Sequence, residues 1–351
     1  MRKHYSLASS CLAVVLTLAL GGCSKEPSKS EVSPAKLAIF KPLPAEMTSD
    51  KNPLTPEKIA LGRMLYYEPR LSKSQKISCN SCHDLANYGM DGQPTSDGHK
   101  GQKGDRNSPT VFNAAGHIAQ FWDGRAATIE DQAKGPVMNP VEMAMPSEKV
   151  VLAVLKSMPE YVEAFQKAFP ADKDPVTLDN MARAMGAFER KLVTPARWDK
   201  FLQGDGKALT DEEKIGLNVF VDTGCGTCHM GTYLGGAQFQ RLGLIKPYPD
   251  STDPGRFKVT KSEADLMSFK VPSLRNVTKT GPYFHNGKVA SIEEATRQMG
   301  EYQLGRLLKP EEIHAIVTWL GALTGEISPE YVKPPTLPKS TAKTPKPDLT
   351  D

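Results

Sequence analysis

The chain is poor in the features that mark membrane, nucleic-acid-binding or disulfide-built proteins. Its one sustained apolar run, Leu12–Leu20, falls well short of the roughly 20 residues a helix needs to cross a bilayer. Neither charge sign dominates: 44 Lys and Arg face 40 Asp and Glu, and Arg2 and Lys3 in the leader supply two of the four excess positives. A strongly basic face of the kind that grips nucleic acid is therefore not expected. Cysteine and histidine are scarce, at six and seven in 351 residues. Patterns that predict strands are few, so the expected fold is mainly α.

What is present begins with an export leader over residues 1–22, with a basic start, a short apolar core and small residues before Cys23. Leu20-Gly21-Gly22-Cys23 resembles the lipobox of bacterial lipoproteins, in which Cys23 becomes the lipid-bearing first residue. An ordinary cleaved leader with Cys23 incidental is the plainer alternative. Lipidation would place the protein in the periplasm, anchored to a membrane. Residues 23–44 read as a flexible tether, and 328–351, rich in Pro and Lys, as an extended or disordered tail.

Between these ends the helix signals are strong. Thr55-Pro56 opens a helix to Leu65, and Leu178–Leu192 is amphipathic. Thr210 with Glu213 and Ser291 with Glu294 make capping boxes, and Pro310–Leu323 carries Ile313, Ile316, Val317 and Leu320 on one face. An internal repeat sets the domain count. Pro109–Asn113 matches Pro272–Asn276, Phe121–Gly124 matches Phe284–Gly287, and Thr128–Glu130 matches Ser291–Glu293, all at one offset of 163 residues. Two tandem domains related by internal duplication are expected, over 45–200 and 201–327.

Of the six cysteines, Cys11 lies in the leader and Cys23 at the lipobox, which leaves none for a disulfide once the other four are assigned. Those four form Cys79-Asn80-Ser81-Cys82-His83 and Cys225-Gly226-Thr227-Cys228-His229. Cys-x-x-Cys-His is the attachment pattern of c-type haem. Two thiols add to the vinyl groups while the adjacent imidazole binds iron, and one turn of chain reaches all three. A zinc site would need a further fixed array of Cys or His, and a thiol redox pair would not need the histidine twice. Two covalent haem c groups, in cytochrome c-like domains, are the expectation. His99, His117, His285 and His314 remain in the mature chain. His314 reads as structural, and His285 takes the repeat position of Trp122. His99, among Gly98, Gly101 and Gly104, sits in a segment suited to a mobile loop that brings a ligand to iron. Met299 closes a capped helix where it could face a haem.

With these residues in view the chain closely resembles the bacterial dihaem cytochrome c peroxidases over about Leu54–Leu323. The carrying segments are Ser78–His83, Asn107–Thr110, Gln120–Arg125, Gly224–His229, Gly281–Gly287, and Met299 followed by Gln303–Gly305. The resemblance implies a peroxidatic haem with His83 proximal and His99 a departing ligand, and an electron-entry haem held by His229 and Met299. It also implies Trp122 on the route between haems, Gln132 and Glu142 beside the peroxide, and calcium at the Asn107 side chain and the Thr280 and Pro282 carbonyls. Hydrogen peroxide as substrate, a small cytochrome c or cupredoxin as donor, and a homodimer follow from the same resemblance. Two other readings stand beside it. One is a dihaem electron carrier without turnover. The other is the related enzyme that matures a tryptophan-derived quinone, whose Tyr at the Met299 position differs from this chain.

Overall fold

Cap chemistry places the helices. The computed structural model describes Met1 and residues 28–349; the rest of the leader and Cys23 lie outside the described residues. Thr55 accepts a hydrogen bond from Lys58 N at 3.2 Å and starts the Pro56–Tyr66 helix, with Pro56 in the first position where its missing N–H costs nothing. Thr177 caps Leu178–Glu189 in the same way. These two helices cross at Gly62, where a Cβ would lie 1.9 Å from the Ala184 carbonyl oxygen. Only glycine permits that backbone approach. Helices Ile129–Met138, Glu148–Lys156 and Pro159–Ala168 complete a first cluster around Leu61, Leu65, Tyr161, Phe165, Met181 and Met185.

A second cluster is built alike. Thr210 and Glu213 cap reciprocally, and the Asp211–Asp222 helix crosses Pro310–Gly321 at Gly216, whose Cβ would meet the Ala315 carbonyl at 2.0 Å. Trp198 and Trp319 pack edge to face at 5.5 Å, with Phe40 against both. The predicted Ser291–Glu294 box is only half made. Ser291 accepts from Glu294 N at 3.1 Å, but the Glu294 carboxylate turns to Arg297 and Gln298. His314 is exposed on its helix rather than structural. Among the described residues the only sheet is one antiparallel pair, Phe239–Arg241 with Ser268–Lys270, in register Gln240 opposite Phe269. The fold is mainly α, with little strand.

The N-terminal end departs from its composition-based reading, and the C-terminal tail is held along its length by the first half. Within the expected tether, Pro34–Leu37 forms a helical turn, and Lys36 bonds Asn218 at 3.0 Å and Asp222 at 2.8 Å. Asn218 in turn donates to the carbonyls of Lys29 and Glu31, and Phe40 enters the second core. The tail crosses to the first cluster, where side chains take its carbonyls: Tyr67 Oη reaches Tyr331 and Val332 in the helical turn Pro329–Val332, and beyond it Arg70 reaches Pro338 and Gln75 reaches Pro345. Ile327, Tyr331, Val332 and Leu337 pack on the core of Tyr66, Phe112 and Phe188. Composition alone did not reveal these long-range partners.

Candidate active site at the junction of the two halves

A single cavity of about 970 Å³ opens between the clusters, and both Cys-x-x-Cys-His segments line it. On the first side Cys79–Cys82 is one helical turn, held at its start by Ser78 N donating to Ser81 Oγ at 3.0 Å. His83 follows, its carbonyl receiving the buried Tyr66 hydroxyl at 2.6 Å. Burial lowers the proton affinity of His83 and pushes the Cys79 thiol well above the ordinary range. On the second side His229 Nδ1 pairs with the Leu234 carbonyl at 3.1 Å. That bond fixes the tautomer and leaves Nε2 as the metal-binding nitrogen. Met299 also lines the cavity. The α-helix ends at Gln298 and continues as a π turn over Met299–Gln303, a distortion frequent at functional positions.

These features suit covalent haem. All four cysteines are free thiols on the cavity wall. A large, mostly enclosed space separates two neutral imidazoles, and His83 Nδ1 is buried without a partner. His83 and His229 would hold iron, with Cys79, Cys82, Cys225 and Cys228 holding the porphyrin edges.

Gln132 and Glu142 both line this cavity. Gln132 projects from Ile129–Met138, and Glu142 from the turn that follows. Asn139 shapes that turn: its side chain accepts from Val141 N at 3.0 Å and donates to Glu142 Oε1 at 2.7 Å. Burial raises the Glu142 proton affinity, against the opposing pull of Arg125 and Asn139. Arg125 lies on the Phe121 ring at 3.5 Å and also lines the cavity. Neither Asn139 nor Arg125 received a role from sequence, although Asn before Pro140 is a turn signal.

His99 behaves differently. It is buried, both ring nitrogens lack partners, and it is not among the cavity-lining residues. Its amide donates to the carbonyls of Val141 and Glu142 at 3.1 and 2.8 Å, so the turn is pinned where it begins. On its far side, Gly101 and Gly104 have open space where a side chain would stand.

Trp122, Asn107, Thr280 and Pro282 all line the cavity. Trp122 Nε1 donates to the Asn107 carbonyl at 2.9 Å, and Asn107 N donates to the His285 carbonyl at 2.8 Å. His285 stacks on Phe269 at 4.2 Å and meets Trp122 edge-on at 6.5 Å. The Asn107 amide nitrogen is taken by the Gln93 carbonyl, which leaves its side-chain oxygen as the remaining acceptor.

Comparison with known proteins agrees with this layout. The profile of the family described as di-haem cytochrome c peroxidase matches residues 56–207. The chain is 47% identical over 317 residues to the cytochrome c551 peroxidase of Pseudomonas aeruginosa, covering 88% of this chain and 90% of that one. It is 37% identical to the methylamine utilization protein MauG of Methylorubrum extorquens, covering 69% and 68%. A crystal structure of a MauG-like protein associated with microbial copper homeostasis superposes with a TM-score of 0.76 at 27% identity, over 84% of this chain and 97% of that chain. With such identity across nearly the whole of a peroxidase relative, the chain belongs to the di-haem cytochrome c peroxidase family.

Proposed function

We propose that the protein reduces hydrogen peroxide to two waters with two electrons and two protons, the electrons coming from a small periplasmic cytochrome c or cupredoxin. The carrying observation is that one cavity is lined by both haem-attachment segments together with Glu142 and Gln132. Bound haems would supply the iron that meets peroxide and the store of electrons. Glu142 would accept a proton from one peroxide oxygen and return it to the other as that oxygen leaves, a role suited to a buried carboxyl of raised proton affinity. Asn139 holds that carboxyl in place, and Gln132 offers an amide to the same space. His83 and His229 would hold the irons, and Met299 would be a further ligand at the second haem. His99 would be a displaceable ligand to the first. Trp122, tied to both halves through Asn107, stands on the electron route.

Calcium is proposed at Asn107 Oδ1 with the Thr280 and Pro282 carbonyls, an oxygen set suited to that ion. Descent of the halves from one duplicated domain is supported by paired backbone features at the repeat offset. Asn113 and Asn276, Phe121 and Phe284, and Gly124 and Gly287 all have positive φ. Periplasmic export, a lipid anchor at Cys23 and a homodimer complete the reading; among the described residues no helix is long and apolar enough to cross a membrane.

Quinone-cofactor maturation is the second reading, favoured by the likeness to MauG, and Met299 speaks against it. The test is peroxide consumption with a reduced small cytochrome c, before and after mild pre-reduction. Turnover is expected. A protein loaded with two haems that turns over with no such donor in either state would refute the proposal.

A further inference from the structure

Lys270 is a buried cation without a carboxylate. Only 8% of it is exposed, and among the described residues no Asp or Glu lies within ion-pair distance. Its ammonium makes two hydrogen bonds, to the Ala119 carbonyl at 2.8 Å and to His117 Nδ1 at 3.3 Å, leaving a third N–H unspent. The nearest acid, Asp123, is held by Arg106 at 2.6 Å and Arg125 at 3.2 Å. Arg106 also binds Asp253, and Lys258 lies 3.5 Å from that same acid, so the surroundings carry surplus positive charge. Burial accordingly lowers the Lys270 pKa to about 8, with only Asp123 opposing.

His117 repeats the pattern. Burial and Lys270 hold it neutral. Because Nδ1 faces the ammonium as an acceptor, the ring proton sits on Nε2, which is buried with no partner. The ring is clamped by the Tyr233 edge at 5.3 Å and by Gly236, where a Cβ would approach within 2.4 Å of it. It cannot swing away to find water. Both residues line the cavity that both haem-attachment segments line. A buried ammonium on the cavity wall, with one N–H unspent and no carboxylate beside it, describes a socket for an anion.

We propose that the unspent N–H of Lys270 Nζ receives the carboxylate of one haem propionate, while His117, from the other half of the chain, holds the ammonium in place through Nδ1. The inference rests on the two-haem reading above. Lys270 is then a positioning and charge-compensating residue that sets a haem's reduction potential without touching peroxide. A rival role is purely structural, a pin joining the Ser268–Lys270 strand to residues 117–119.

The test is a spectroelectrochemical titration of the full haem-loaded protein, with covalent haem counted separately by the pyridine haemochrome assay. Lys270→Gln should keep two haems and make one of them harder to reduce. The electron distribution between the haems should shift by roughly tenfold, as expected for a unit charge removed at intermediate range inside a protein. Lys270→Arg should return the potential toward wild type. His117→Gln should move the same haem in the same direction by less. The haem that moves is the owner of the propionate. Unchanged potentials in Lys270→Gln, with only thermal stability reduced, would establish the pin and overturn the socket. If Lys270→Gln does not accumulate with two haems, His117→Gln decides, and unchanged potentials there overturn the proposal. A wild-type count below two haems would defeat the two-haem reading itself, whatever the variants do.

Discussion

Asn113 and Asn276, one from each half, donate their side-chain amides to the same hydroxyl, Thr194 Oγ1, at 2.8 and 2.9 Å. All three residues are fully buried. A hydroxyl has two acceptor sites, so one threonine satisfies both asparagines where the clusters join. Thr194→Val keeps the shape and leaves two buried donors unpaired. The expected loss is about 2–4 kcal/mol in denaturant unfolding, and Thr194→Ser should recover most of it. A loss below about 0.5 kcal/mol, the scale of a neutral substitution, would mean that water replaces the hydroxyl.

Glu142→Gln should retain both haems and their spectra yet lose peroxide turnover by about a hundredfold or more, the scale of a positioned acid–base group. Asn139→Ala should give a smaller loss, since the carboxyl remains but its 2.7 Å partner is gone. Steady-state rates with a reduced cytochrome c would check both, and near-wild-type turnover in Glu142→Gln would remove Glu142 from the chemistry.

Redox titration should separate the two haems. If the proposed ligands hold, methionine at Met299 would favour ferrous iron more than the histidine pair His83 and His99, so mild reductant should reduce the second haem alone. Met299→His should lower that potential and block activation. His99→Gly should bind peroxide while fully oxidised. The departing-ligand role fails if that variant still requires pre-reduction.

Glu189 makes stability pH-dependent. It is buried beside Cys79, one carboxylate oxygen has no partner, and burial, helped by Glu130 and opposed by Arg190, pushes its pKa up to about 8. The folded chain keeps this proton over a range where the unfolded chain has released it. Stability is therefore full below the ordinary carboxylate range and falls as pH rises toward 8. Glu189→Gln should flatten that slope and gain about 1–3 kcal/mol at pH 8 relative to wild type. Parallel wild-type and variant melting curves at pH 5 and pH 8 would show that the carboxyl is not the source.

Local chemistry was legible in the sequence and distant pairing was not. Thr55-Pro56 and Thr210 with Glu213 mark helix starts within their own turns, and the structure begins those helices at Pro56 and Asp211. The thiol and imidazole spacing of Cys79–His83 likewise carries its meaning within five residues. Asn139 stands three residues from Glu142, yet its role depends on which rotamer the turn imposes. Lys270 and His117 are separated by 153 positions, and nothing near either one announces the other. His99 shows a subtler limit: its glycines suggest a loose segment, but the amide bonds to Val141 and Glu142 that pin its near side come from a different stretch of chain.

The exchanged ends of the chain give folding a built-in order. Residues near 36 find their partners at Asn218 and Asp222, 182 and 186 positions later. Tyr67 and Arg70 wait for Tyr331 and Pro338, 264 and 268 positions downstream. Loops of that length close late because their entropy must be met before the contacts return it. During synthesis the first helical cluster must therefore persist without its outer cover until the final residues arrive. A chain interrupted before residue 328 would leave the surface around Tyr66, Phe112 and Phe188 exposed to proteases and to other unfinished chains.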